Sequence, residues 1–353
     1  MKKSLLALAI MGIATSATAA TVYDKDGTTL EVGGRVQAVG YNGNFDEAGD
    51  HDSNLKNSAR LNLAGNTKIT DWVSALAFTE WEMANGHKGE DGIESREQYV
   101  GLDFGDFGQL TAGKQNDSFY DVIAPTDVFE DCGNVGTFVQ DDRRNGVIKY
   151  TYDNNHFFGS ASGQIAADKT TVFGEQVNVN GGFAAVVGVN FDVLGAPLAV
   201  KTGYSYLQGQ NKPEDRGETT MNKYKQAGVG ISYGSTDAGL YLAAQYNITK
   251  RSEFDSNVKK KNKGFEFVGG YAFENGISFL TGYLASNEKS QPNELNHFCY
   301  KVRKVPVFVN YVANENFNVW AEAQFDAGSN KLAEKADMAD AGTKLALGAR
   351  YTF

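Results

Sequence analysis

Residues 343–353 read TKLALGARYTF. Side chains of an extended chain alternate between two faces, so Leu345, Leu347, Ala349, Tyr351 and Phe353 fall on one side and Lys344, Ala346, Gly348, Arg350 and Thr352 on the other. The first set can meet hydrocarbon and the second water. The same split recurs in FNVWAEAQFD (317–326), where Phe317, Val319, Ala321, Ala323 and Phe325 oppose Asn318, Trp320, Glu322, Gln324 and Asp326. It returns in GFEFVGGYAF (264–273) and VKTGYSY (200–206), and with interruptions runs from about Leu30 to the final residue. Sustained helical periodicity is absent, and the fold class read from this is all-β.

Alternation by itself suits a soluble sandwich as well as a barrel, because only the direction of the apolar face differs. The connections decide. Tight turns fall near Thr70-Asp71, Gly105-Asp106, Asn154-Asn155, Gly195-Ala196-Pro197, Ser235-Thr236-Asp237, Glu274-Asn275-Gly276 and Asn314-Glu315-Asn316. Between them lie long polar segments at 42–57, 84–94, 117–142, 167–177, 209–222, 251–262, 287–298 and 328–341. Short turns at one end and long loops at the other are the pattern of an outer-membrane barrel. Fifteen connections imply sixteen strands, and within hydrocarbon such a sheet must close on itself to satisfy its backbone hydrogen bonds.

The beginning of the chain agrees. MKKSLLALAIMGIATSATAA carries two lysines, an apolar stretch from Leu5 to Ile13 and an Ala17-Thr18-Ala19 site, which reads as a secretory signal peptide over 1–19 followed by a barrel domain over 20–353. Beyond it no run approaches the roughly 18 apolar residues of a membrane helix, and mean hydropathy is −0.39. Forty Gly with 17 Tyr and 22 Phe, against 5 Pro, suit curved strands with aromatic girdles and few ladder-breaking residues. A formal charge of −10 argues against a nucleic-acid partner. His51, His87, His156 and His297 all fall in loops or turns, with no nucleophile or metalloprotease motif beside them, so the chain does not read as an enzyme. The acidic loops lack a calcium-binding pattern, and neither a metal nor a cofactor is expected. Two cysteines, Cys132 and Cys299, cannot frame a chain of this length; a bridge between them and two free thiols are both open at this point.

Several stretches, in their order and spacing, resemble the enterobacterial-type general porins: Thr21-Val22-Tyr23-Asp24-Lys25-Asp26-Gly27 with the strand from Leu30 to Tyr41; Ala59-Arg60-Leu61; Trp81-Glu82; Val100-Gly101-Leu102 leading to Gly105-Asp106-Phe107-Gly108; and Arg350-Tyr351-Thr352-Phe353. The resemblance implies a sixteen-stranded antiparallel transmembrane β-barrel, a homotrimer in the outer membrane among its lipid and lipopolysaccharide, and a third loop folded into the lumen. It also implies that Tyr351 and Phe353 belong to the signal read by the barrel-assembly machinery. The function expected is general diffusion of ions and small hydrophilic solutes, with a solute-specific channel of the same fold as the alternative.

The segment matching the inward loop is 117–142, the longest connection. Strand parity places Arg35 with Glu31 and Gln37, opposite Val32, Val36 and Ala38, and Arg60 with Asn62, Asn66 and Lys68, opposite Leu61, Leu63 and Ile69. Both arginines are therefore expected to face the lumen, as are Glu80 and Glu82 on the polar face of their strand. By resemblance Arg96 and Arg143 complete the basic wall, with Arg144 in reserve. The loop carries the opposing acids. Thr126-Asp127 matches the start of the family's tip and makes Asp127 the first candidate, with Glu130 or Asp131 second. The tip itself departs from the usual Pro-Glu-Phe-Gly-Gly and reads Val128-Phe129-Glu130-Asp131-Cys132-Gly133. Excess carboxylate at the constriction is expected to give modest cation selectivity.

Overall fold

The structure, a computed structural model, describes residues 19–45, 49, 51–83, 92–133, 143–172, 175–210, 221–254, 259–293, 296–335 and 342–353. Apart from Ala19, the segment read as a signal peptide lies outside the described residues, as do His87, Asp141 and Asp142.

Among the described residues eighteen strands pair into one antiparallel sheet. The first half comprises β1 (Ala20–Lys25), β2 (Thr28–Asn42), β3 (Ser53–Lys68), β4 (Ser74–Met83), β5 (Ile93–Asp103), β6 (Gln109–Gln115), β7 (Arg144–Asp153), β8 (Phe157–Gln164) and β9 (Ala167–Val172). The second comprises β10 (Glu175–Val193), β11 (Ala196–Gly209), β12 (Met221–Ser235), β13 (Ala238–Glu253), β14 (Lys259–Ala272), β15 (Ile277–Asn293), β16 (Asn296–Asn314), β17 (Phe317–Asp326) and β18 (Lys344–Thr352). Apart from β8 and β9, which both pair with β10, each strand pairs with the next along the chain, and β18 returns to β2, so the sheet is closed. Two of the eighteen are not separate walls. β9 continues β8 along the same partner, β10. β1 pairs with β2 from Thr28 to Val32 and β18 pairs with it from Arg35 to Tyr41, so β1 and β18 lie end to end. The wall is the expected sixteen-stranded barrel.

Its burial is inside out. On β17, Phe317, Val319 and Phe325 are exposed while Glu322 is buried. On β14, Phe265, Phe267 and Tyr271 face outward while Glu266 is fully buried. A single water-soluble sheet would reverse this, because apolar area is what water expels. Here hydrocarbon receives it.

The strands run past the expected loop boundaries. β10 and β16 are 19 residues long and β15 is 17, against about ten for a tilted membrane span. They continue through 251–253, 259–262, 287–293 and 296–298, all read from sequence as loop. In these stretches the inward side chains are polar too, among them Arg251, Asn262, Glu288 and Ser290, so hydrophobic alternation vanishes while the backbone ladder continues. The last long loop holds a short helix, α2 (Lys331–Lys335), whose Ala333 packs on Val302 of β16. The turn expected at Gly195-Ala196-Pro197 is shifted: it is Leu194-Gly195, both with left-handed φ (55° and 79°), and Pro197 already pairs with Asp192. Two consecutive left-handed residues match the twist of a two-residue hairpin; Asp26-Gly27 does the same between β1 and β2 (54° and 77°).

The seam closes at Gly34. Phe353 exchanges two backbone hydrogen bonds with it (2.8 and 2.9 Å). A Cβ on Gly34 would lie 2.5 Å from the Arg60 carbonyl oxygen and 2.8 Å from the Phe353 ring. Gly34→Ala is therefore expected to destabilise the barrel by about 1–3 kcal/mol, measured as a lower urea midpoint for loss of the folded, heat-modifiable gel band; an unchanged midpoint would contradict the seam as described.

Candidate pore constriction

The third loop leaves β6 at Asn116 and is held inside the barrel at every stage of its described path. At its root the Asp117 carboxylate accepts from Arg144 Nη2 (2.6 Å) and Ser205 Oγ (2.9 Å). Burial opposes ionisation of this carboxyl, but the Arg144 guanidinium and the two hydrogen bonds prevail and hold it below the usual carboxylate range. The short helix α1 (Tyr120–Ile123) then presses Val122 and Ile123, both fully buried, against the inner wall beside Val186, Leu207 and Tyr224. That wall is made low for it: a Cβ on Gly230 would lie 2.2 Å from the Val122 carbonyl oxygen. Past the helix, Tyr241 donates to the Pro125 carbonyl (2.6 Å) and Thr126 donates to Glu266 (2.7 Å).

The tip is fixed by one carboxylate. Glu322 of β17 accepts from the backbone N–H groups of Glu130, Asp131 and Cys132 at 3.1, 3.0 and 2.9 Å, while Gln324 donates to the Cys132 carbonyl (2.9 Å). Beneath it Phe129 packs into an inward cluster with Tyr41, Val268, Leu280, Phe308 and Trp320. The apolar residues of the unusual tip thus dock the loop, which leaves its acids to face side chains.

Each of the three candidate acids has a named partner. Tyr120 donates to Asp127 (2.8 Å), and burial together with that carboxylate pushes the phenol up. Tyr41 donates to Asp131 (2.8 Å). Glu130 meets Arg350 of β18 in a two-pronged pair, with Nη1 to Oε1 at 2.9 Å and Nη2 to Oε2 closer still. Burial works against the charged Glu130, yet Arg350, with Arg35 and Arg60 beyond it, holds the carboxyl below its ordinary range.

The wall arginines line up across β2, β3 and β5. Arg35 and Arg60 are directly opposed in register, and Arg60 is opposed to Glu82. Arg60 reaches Glu82 at 3.3 Å; Arg96 bridges Glu80 and Glu82 at 2.8 Å each; Arg143 reaches Glu97 at 2.7 Å. The guanidinium Nε of Arg35 has no hydrogen-bond partner among the described residues. The neighbours Arg143 and Arg144 are separated in role: the first faces Glu97, and the second is buried at the loop root.

The sequence reading did not select Arg350, Glu97, Glu266 or Glu322. Three of these lie on the polar face of strands whose alternation was already visible, so the usable signal was any inward charge on the wall opposite the arginines. Both cysteines are free thiols, which corrects the bridge kept open from sequence. Cys132 sits at the height of Glu322, which is in register with Phe308. Cys299 lies on the same strand as Phe308, nine residues nearer its outer end, or about 30 Å at the ~3.3 Å rise of a strand. A disulfide needs Cα atoms within about 7 Å.

The Gram-negative porin family profile matches residues 25–353. The chain belongs to that family. It is an outer-membrane channel protein, and a curated relative supports this over nearly the full length: the outer membrane porin PhoE of Enterobacter cloacae is 30% identical over 354 residues, covering 96% of this chain and 97% of PhoE. Among solved structures the porin is similar to OmpF of Salmonella typhi in its complex with daunomycin, with a TM-score of 0.77 and 20% identity over 95% of this chain and 100% of OmpF. It is also similar to a trimer form of Vibrio cholerae OmpT, folded in vitro (TM-score 0.66, 14% identity, 93% and 100% covered). At these identities the two structures speak for the fold.

Glu322→Ala removes the acceptor of three tip amides. The loss is expected to weaken docking of the loop by about 1–3 kcal/mol, seen as increased open-channel current noise in single-channel records. Acid is expected to act at the same loop. Asp117 and Glu130 have folded pKa values below their unfolded ones, so their contribution is present above about pH 4 and lost as pH falls through the lowered folded values. Current noise is therefore expected to rise on acidification from neutrality, and Asp117→Asn to flatten that response.

Proposed function

We propose that the porin is a general diffusion channel for ions and small hydrophilic solutes, acting as a homotrimer, with a constriction between the third loop and the β2–β5 wall and a modest preference for cations. The observation that carries the preference is local neutralisation. Arg60, Arg96 and Arg143 each bind a wall carboxylate, Glu80, Glu82 or Glu97, and Arg350 binds Glu130. With Asp127 and Asp131 the constriction gathers six carboxylates, those of Glu80, Glu82, Glu97, Asp127, Glu130 and Asp131, against the five guanidinium groups of Arg35, Arg60, Arg96, Arg143 and Arg350. Paired charges facing one another across water orient dipolar solutes, and the surplus sign sets ion preference. The pairs are worth little to stability in an aqueous lumen; their use is the field they set up.

The inward aromatics favour the general over the solute-specific reading. Tyr41, Tyr224, Tyr241, Phe308 and Trp320 are packed against the loop or the wall with under a tenth of their surface exposed, so they offer no run of ring faces to a sugar. Tyr351 and Phe353 stand outward at the seam, consistent with a role as the signal read during assembly.

In planar bilayers under a KCl gradient the protein is expected to open in steps of three and to give a cation-shifted reversal potential. Asp127→Asn combined with Glu130→Gln is expected to move that potential towards the anion side; a wild-type potential already on the anion side would overturn the preference, and openings in ones the trimer.

A further inference from the structure

The inner wall carries a second charged row on the periplasmic side of the third loop. Along β11 towards its tight turn, the inward residues are Ser205, which donates to Asp117, then Gly203, which faces Val122 of α1, then Lys201. Lys201 therefore stands just below the loop, on the side of the short turns, which is the periplasmic side of such a barrel. The ladder sets it in one row across four strands. Asp153 of β7 opposes Phe158 of β8, Phe158 opposes Gly188 of β10, and Gly188 opposes Lys201.

Gly188 joins the two ends of this row. A Cβ there would lie 2.8 Å from Lys201 Cγ and 3.4 Å from Phe158 Cβ. The lysine stem crosses the bare backbone and sets its ammonium over the Phe158 ring, 3.8 Å from the centroid, well inside the range in which a cation is attracted to a ring face. Among the described residues no carboxylate pairs with this ammonium and no hydrogen bond reaches it. Its neighbours are matched differently. Asp121 of α1 pairs with Lys149 of β7 at 3.0 Å, and Asp153 accepts from Asn190 Nδ2 at 3.0 Å. The cluster of Asp121, Lys149, Asp153 and Lys201 is thus neutral, whereas the constriction above it has a surplus of carboxylate. A lysine free to swing would spread its charge through the lumen, and one laid over glycine onto a ring holds it at one height.

We propose that Lys201 is a specificity-determining residue of the channel: a cation fixed at the periplasmic exit of the constriction, which offsets Asp153 and so confines the acid surplus to the constriction itself. Gly188 and Phe158 are positioning residues, one leaving room for the lysine stem and the other holding its ammonium. The inference rests on the general-diffusion reading, because the charge acts only on ions that pass through the lumen.

The test is the reversal potential of the full-length folded porin in planar bilayers under a KCl gradient, for channels of one insertion orientation, with the gradient applied in each direction. The Debye length is about 10 Å at about 0.1 M salt and about 3 Å at about 1 M, so a charge near the periplasmic mouth is felt most when the dilute solution bathes that mouth. There Lys201→Gln is expected to raise the cation-to-anion permeability ratio by about twofold, and by less with the gradient reversed. Asp153→Asn is expected to lower the ratio, and the two changes together to return it towards the wild type. Lys201→Arg, which keeps the charge, is expected to keep the wild-type ratio. Gly188→Ala leaves every charge in place but drives the stem off the ring, and is expected to reproduce part of the Lys201→Gln shift with added current noise; wild-type values for that variant would overturn the positioning role. An unchanged ratio in Lys201→Gln, or the same shift for both directions of the gradient, would overturn the proposal while wild-type conductance stands. A wild-type protein that carries no current would instead overturn the diffusion reading beneath it.

Discussion

A β-sheet in hydrocarbon cannot have an edge. Each unpaired N–H or C=O there costs several kcal/mol, and the rest of this molecule is arranged around removing the last of them. The seam between β2 and β18, with β1 laid end to end against β18, finishes the ring. Gly34 stays bare of a side chain because the neighbouring backbone and the Phe353 ring occupy its space. Once the ring exists, lipid holds the outer face, and the inner face is free to be polar without the penalty that buried polar groups carry in a soluble core.

That freedom is spent on the third loop. The lumen wall supplies acceptors at the heights where the loop passes, Glu266 for Thr126 and Glu322 for the tip amides, and bare glycine where α1 needs room. Of the remaining inward charges, Arg60, Arg96 and Arg143 each stand beside a glutamate of their own wall, and Glu130 of the loop stands beside Arg350.

The fold was legible because membrane strands repeat every two residues and this signal survives single errors. It failed where it had to: in 251–253, 259–262 and 287–293 both faces of the strand are polar, and no hydrophobic periodicity distinguishes them from loop. The shifted turn at Leu194-Gly195 escaped because a leucine with left-handed φ is not a turn signature, whereas Pro197 looked like one. For the site, parity placed Arg35 and Arg60 inward, since each lies in an unbroken alternating run. Parity cannot say which inward groups meet across the lumen, and that is why Arg350 and Glu322 were passed over although both stood on visibly polar faces. The idea of a bridge between Cys132 and Cys299 came from composition, which carries no height along the barrel axis.

Glu322 also has a consequence for the order of events in assembly. Its hydrogen bond to Cys132 spans 190 residues of chain, among the longest contacts the loop makes. Contacts of such sequence separation form late, because the intervening chain must be organised first. The eyelet can therefore be completed only when the wall is nearly so, and an unfinished barrel is a wide opening. By the same reasoning the loop docks before the Gly34–Phe353 seam, whose backbone hydrogen bonds join residues still farther apart in the chain, so narrowing of the pore and closure of the wall belong to one late stage of maturation.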